Sequence, residues 1–164
     1  MRRRYLRDTF SDRLNKIREV IPDAGIGADV IVGFPGEGDA EFNETYEFIR
    51  SMDISYLHVF TFSERPGTAA AGMKPVVPNR VRDERSKILH LLSEEKRSSF
   101  HKSQEGRVSE VLFERQSGRN TMTGFTGNYI ETEVALVKEY LNTLQRVVLC
   151  DSSKGPMKGR LAHI

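Results

Sequence analysis

Cysteine is almost missing from this sequence: Cys150 is the only one in 164 residues. One thiol excludes an internal disulfide framework and fits a reducing cytosol. Its expected place is the interior, as a small hydrophobe. Long apolar runs are missing too, and none approaches the roughly 20 residues needed to span a bilayer. The opening Met1-Arg2-Arg3-Arg4-Tyr5 has no apolar stretch behind its charges, which excludes a secretory signal. Charge of one sign is not in excess. Lys and Arg number 25, Asp and Glu 23, for a net charge of +2. That balance permits an RNA partner without requiring one. Dinucleotide (GxGxxG) and nucleoside triphosphate (GxxxxGKS/T) fingerprints are absent. His58, His90, His101 and His163 lack metal-ligand spacing. No serine stands in a nucleophile elbow. No catalytic residue and no metal site are therefore assigned. With 38% hydrophobic and 29% charged residues, the chain reads as soluble and folded, long enough for one ordinary domain or two small ones.

The first hundred residues alternate in period. Phe10, Leu14, Ile17 and Ile21 recur at helical steps over 9–21, with Asp8 or Thr9 as a cap and Pro22, Asp23 and Gly25 as the stop. A continuous apolar run from Ile26 to Val32, broken by Asp29, suits a parallel strand covered on both faces. A Gly- and Pro-rich loop leads into a helix over 39–51 with Phe42, Tyr46 and Ile49 on one face. Residues 54–62 read as a strand, 69–77 as a small-residue loop, and Pro78 opens a long helix to about Gln104. Its apolar stripe, Val81, Ile88, Leu91 and Leu92, is partial. Helix–strand–helix–strand–helix means βα units with parallel strands. Two strands are few for such a sheet, so the chain is expected to be cut from a longer one. Its first strand would then have an unpaired edge that invites self-association.

Beyond Glu105 short β-like runs take over, at 108–114, 121–125, 129–134, 146–150 and 158–162. Turn signals separate several of them, and 137–144 is a short helix or an irregular connection. Such spacing suggests a small barrel. The expected domains are thus residues 1–104 and 105–164.

Two loops close successive strands and would stand side by side. Gly33-Phe34-Pro35-Gly36-Glu37 has glycines that let a ligand approach the backbone, at the strand end where α/β folds bind ligands. Glu37 could hold a hydroxyl or amine there; a tight turn without a ligand is the plain alternative. Ser63-Glu64-Arg65-Pro66-Gly67-Thr68 follows the second strand. Its Arg65 could meet a carboxylate or phosphate, against the plainer reading of a solvated polar turn.

In order and at this spacing, "GADVIVGFPGE" and "YLHVFTFSERPGTAA" resemble the radical S-adenosylmethionine methylthiotransferases. The opening five residues resemble the stretch after that family's fourth barrel strand. "GFTGNYIETEV" resembles its TRAM domain, a small RNA-binding β-barrel. The similarity is greatest to the branch that modifies threonylcarbamoyladenosine beside the tRNA anticodon. The resemblance implies an α/β fold: the C-terminal part of a partial (βα)6 barrel, holding strands five and six, then a small antiparallel OB-like barrel. It implies that S-adenosylmethionine meets Ile31, Gly33, Phe34, Pro35 and Gly36 and the strand bearing His58, Phe60 and Phe62. Glu37 and Arg65 would face substrate. The family builds two [4Fe–4S] clusters on cysteines, from a CxxxCxxC loop and three cysteines of an N-terminal domain. Cys150 alone builds neither, so the activity is expected of the full-length cytoplasmic enzyme and not of this piece. That activity adds a methylthio group to C2 of a modified adenosine.

Arg115, Arg119, Tyr129, Lys154, Lys158 and Arg160 are the RNA-contact candidates. Basic groups and an exposed aromatic on a small barrel suit phosphates and stacked bases. Glu110, Glu114, Glu131, Glu133 and Glu139 between them also fit a plain mixed surface. Arg2, Arg3 and Arg4 could touch RNA or form a loose basic terminus. The anticodon stem-loop of tRNA is the expected partner. Two alternatives stand beside it: a stand-alone RNA-binding module, and a methylthiotransferase acting on a ribosomal protein.

Overall fold

A computed structural model of the chain describes residues 6–153 and 155–162. Arg2, Arg3, Arg4, Lys154 and His163, named above, lie outside the described residues. Two compact units form. One holds the residues up to Val20 together with Ile26–Arg97, and the other holds Ile21–Gly25 together with Ser98 onward. The expected division fell after Gln104, but Phe100, near the end of the long helix, packs on the core of the second unit.

The first unit contains α1 (Arg7–Val20), β1 (Gly27–Val32), α2 (Asp39–Ser51), β2 (Tyr56–Thr61) and most of α3 (Asn79–Ser103). α1 begins earlier than expected, which puts Asp8 and Thr9 inside its first turn instead of at the cap. α2 has the expected bounds. β1 and β2 pair in parallel, with Ala28 opposite Leu57, Val30 opposite Val59 and Ile31 opposite Phe60. Alternation along each strand divides the sheet. Ala28, Val30, Val32, Leu57 and Val59 turn to the helices and pack with Leu14, Phe42, Ile49, Leu89 and Leu92. Full burial of one such side chain contributes roughly 1.5–3 kcal/mol. Ile31 and Phe60 stand in the row on the other face.

The stripe of α3 differs from its sequence reading. Ile88 and Leu91 are exposed, and the inner face is Arg82, Arg85, Leu89, Leu92 and Ser93. Two arginines thus continue the apolar row. Residues 69–77, read as a loop, hold a 3-10 turn at Ala69–Gly72.

The second unit is a closed five-stranded barrel. Its strands are β3 (Val108–Gln116), β4 (Thr121–Thr126), β5 (Glu131–Ala135), β6 (Leu144–Asp151) and β7 (Met157–Leu161). The order round the barrel is β3-β4-β5-β7-β6, closed by β6 on β3. The expected all-antiparallel pattern is corrected: β5 and β7 run parallel. An odd number of strands cannot alternate direction all the way round a closed ring, so one parallel pair is unavoidable. Val111, Phe113, Met122, Ile130, Val134, Val147, Leu149 and Met157 fill the interior. Cys150 is also corrected. It is exposed, because Val147 and Leu149 take the inward phase of β6 and leave Cys150 outside. No helix among the described residues is long and apolar enough to cross a membrane.

Candidate functional site

Because β1 and β2 are parallel, their C-terminal ends and the loops that follow stand at the same end of the sheet. The ladder continues past β1 and β2 through Phe62 N–H to Val32 O, 2.8 Å. Just beyond, the rings of Phe34 and Phe62 meet edge-on, 5.2 Å between centroids. On the sheet face away from the helices, the register places Asp29 beside His58 and Ile31 beside Phe60. Tyr56 and His58 stack edge to face at 5.1 Å. Phe60 is 52% exposed. The register therefore puts Ile31, His58 and Phe60 on one face of the sheet, while Phe34 and Phe62 meet at its C-terminal end, where the Arg82 guanidinium lies 5.6 Å from the Phe62 ring.

Gly33 and Gly36 have φ of +77° and +88°, a region that L side chains rarely adopt. They differ in surroundings. A Cβ on Gly33 would stand 2.4 Å from Arg82 Cγ, whereas around Gly36 nothing lies within 4 Å. Gly36 is exposed with open space beside its Cα, while its N–H donates to Pro75 O at 2.9 Å. Pro35 is buried in the turn.

Glu37 does not stand free. Its Oε1 accepts from Gly33 N–H at 3.0 Å and from Arg85 Nη1 at 2.7 Å. Arg85 also donates to the Glu37 carbonyl and to Asp39 Oδ1. This geometry makes Glu37 a brace for the loop. Arg65 is exposed on the second loop, where its carbonyl accepts from the Thr68 hydroxyl at 2.8 Å.

Arg82 and Arg85 were missed by sequence reasoning. Arg82 is 3% exposed. It donates to Val77 O at 2.8 Å and to Phe62 O at 2.9 Å, and it pairs with Glu64. One α3 side chain thus holds the loop after β2 while Arg85 holds the loop after β1. The available signal was their phase, three residues apart and in step with Leu89 and Leu92.

On the barrel, two of the basic candidates are engaged. Arg115 reaches Glu131 at 3.3 Å. Lys158 pairs with Glu133. Register aligns Arg115, Thr123, Glu133 and Lys158 in one row across β3, β4, β5 and β7. Arg119 lies exposed in the β3–β4 turn and Arg160 exposed on β7. Tyr129 is 79% exposed. It sits in the β4–β5 turn rather than in a strand, and its ring is tilted against Phe125 at 6.5 Å.

Four carboxyls are held below their usual range. The Arg82 guanidinium lowers Glu64 and the Lys158 ammonium lowers Glu133. The Ser152 hydroxyl lowers Glu105, and the Ser153 backbone N–H lowers Asp151. A carboxyl lowered in the folded state stabilises the fold fully above its unfolded value. That stability is lost as pH falls through the folded value. Both units are expected to hold a level urea midpoint above about pH 4.5, the usual value for Glu64 and Glu133, and to lose stability below it. A midpoint that stays level well below that pH would contradict these pairings.

A parallel α/β sheet with loops braced at the strand ends, and a small mixed barrel bearing an exposed aromatic, define an α/β unit and a β-barrel module. No family model matches the chain. Curated relatives do. Threonylcarbamoyladenosine tRNA methylthiotransferase MtaB of Bacillus subtilis is 34% identical over 168 residues, covering 100% of this chain and 37% of that protein. The protein of the same description from Aquifex aeolicus is 38% identical over 149 residues, covering 91% and 35%. tRNA-2-methylthio-N(6)-dimethylallyladenosine synthase of Bacillus subtilis is 34% identical over 163 residues, covering 98% and 32%. The chain is a homologue, along its whole length, of the radical S-adenosylmethionine methylthiotransferases. It spans about a third of the length of the curated relatives it matches.

Proposed function

We propose that this chain is the C-terminal part of a cytoplasmic tRNA methylthiotransferase that adds a methylthio group to C2 of a modified adenosine beside the anticodon. Similarity along the whole of this chain to about a third of two kinds of enzyme, both described as acting on tRNA adenosines, supports the reading. In it, β1 and β2 are two strands of a partial (βα)6 barrel, and the second unit is a TRAM-type barrel that contacts tRNA.

The described residues hold no group of three or more His, Cys, Asp or Glu side chains able to bind a metal ion. Cys150 stands alone and exposed on β6. The chain's own residues do not fit a [4Fe–4S] cluster. The fit to S-adenosylmethionine is better. An adenosyl group needs apolar surface, an aromatic edge and accessible backbone. Ile31 and Phe60 supply the first, the Phe34–Phe62 corner the second, and Gly36 the third. In the resembled family that cofactor supplies radical chemistry and the methyl group. The work of this chain would be positional: Gly33, Pro35 and His58 shape the wall, Arg82 and Arg85 fix the loops that carry it, and Arg65 stands at the rim toward substrate.

Binding of an unmodified anticodon stem-loop to the chain, followed across a salt series, tests the reading. Retention at low salt and weakening as salt rises are expected, because phosphate contacts release counterions. A folded chain that binds no RNA at low salt, yet captures a ribosomal protein, would replace tRNA by a protein substrate.

A further inference from the structure

The surface around Tyr129 is built in a way that its neighbours are not. Tyr129 has φ +65°, a conformation that a bulky residue seldom adopts. The turn is over-determined. Tyr129 N–H donates to Thr126 O at 3.0 Å and Ile130 N–H to Thr126 Oγ1 at 2.9 Å. The Asn128 amide donates to Asp23 O at 2.9 Å. The approach is so close that a Cβ on Gly25 would stand 2.4 Å from Asn128 O. Such scaffolding holds a strained residue whose ring is turned outward, where a glycine would suit the backbone better. Strain maintained by its surroundings points to use of the side chain.

A cleft of about 870 Å³ opens beside this ring within the barrel unit, lined by Tyr129, Asn128, Arg107, Ser109 and Glu110 among others. The space is ample for one nucleotide. Its chemistry is that of a nucleotide's partners: an aromatic face, a guanidinium at the rim, and the Ser109 hydroxyl and Glu110 carboxylate for a base edge, while the Asn128 amide is taken up by Asp23, Gln104 and Thr126. Arg107 pairs with Asp23, and both side chains are about half exposed. Such pairs are weak, so a phosphate can share the guanidinium.

We propose that this cleft receives one unstacked nucleotide of single-stranded RNA, its base on the Tyr129 ring, its edge toward Ser109 and Glu110, and its phosphate toward Arg107. The proposal rests on the RNA reading above and specifies what the barrel grips: a splayed base instead of a duplex surface. Base stacking on an aromatic tolerates any base and survives salt better than a phosphate contact.

The test uses the whole chain, a single-stranded oligonucleotide carrying 2-aminopurine, and its duplex form. Tyr129→Gly relieves the backbone, so its urea midpoint is expected to stay level or rise. Its affinity for the single strand is expected to fall about tenfold, with an unchanged salt slope. Tyr129→Phe is expected to bind as the parent does. Equal affinity of Tyr129→Gly and the parent chain would overturn the site and leave the RNA reading standing. Equal affinity for duplex and single strand would overturn the splayed base. A parent chain that binds neither would overturn both readings.

Discussion

Replacing Gly124 by alanine is expected to unfold the barrel unit while leaving the α/β unit folded. Gly124 lies buried in β4, opposite Phe113 of β3 and Thr132 of β5. A Cβ there would stand 1.9 Å from Leu112 O, 2.6 Å from its carbonyl carbon and 2.7 Å from Phe113 Cα. All three are backbone atoms in a paired strand, so no rotamer change can make room. Relief requires β3 and β4 to separate, and in a closed barrel that opens the ring. Overpacking ordinarily costs about 1–3 kcal/mol; a backbone collision belongs at or above the top of that range. That is a large share of what a domain of this size holds in reserve. Gly127, three residues on, is the control. Nothing lies within 4 Å of its added Cβ, and Gly127→Ala is expected to change stability by less than about 1 kcal/mol. Urea unfolding followed separately by amide signals of β4 and β1 distinguishes the two units. Loss of β4 signals only in Gly124→Ala is the expected outcome, and a folded Gly124→Ala barrel would contradict the register.

Arg82→Met is the second large effect. The substitution keeps much of the apolar stem but removes the guanidinium. Val77 O and Phe62 O lose their partner, and Glu64 loses its counter-charge. Hydrogen bonds from a charged donor contribute roughly 1.5–3 kcal/mol, and stranding buried acceptors adds to the cost. A loss of about 3 kcal/mol in the first unit is expected, read as a lower urea midpoint with an unchanged slope. Glu64→Gln is expected to cost much less, because the Glu64 side chain is 46% exposed and exposed ion pairs contribute little. Arg82→Lys is not expected to rescue, since one ammonium cannot reproduce the fork. Equal costs for Arg82→Met and Glu64→Gln would show that the ion pair, not the backbone contacts, is what matters.

These two residues also show where sequence reasoning stops. Period alone located α2 to its observed bounds and placed both parallel strands, because apolar spacing registers which face is covered. Cys150 was misplaced although the signal existed: Val147 and Leu149 set the inward phase of β6, and alternation puts Cys150 outside. Strand parity likewise required a parallel pair once five strands closed. By contrast, the tie between Glu37 and Arg85 joins residues far apart in sequence. Nothing local to "GFPGE" says that its glutamate is braced. Arg82 drew no reading from the sequence, and its phase with Leu89 places it inside. Tyr129 was read as the first residue of a strand. Only the turn geometry, with its positive φ, shows why its ring faces out.

Assignment of the RNA contact to the barrel is tested most directly by hydrogen–deuterium exchange on the whole chain, with and without the anticodon stem-loop. Slowed exchange confined to the second unit, strongest in the 126–130 turn and in 106–110, is the expected result. Slowed exchange confined to 26–97, or none at saturating RNA, would contradict it.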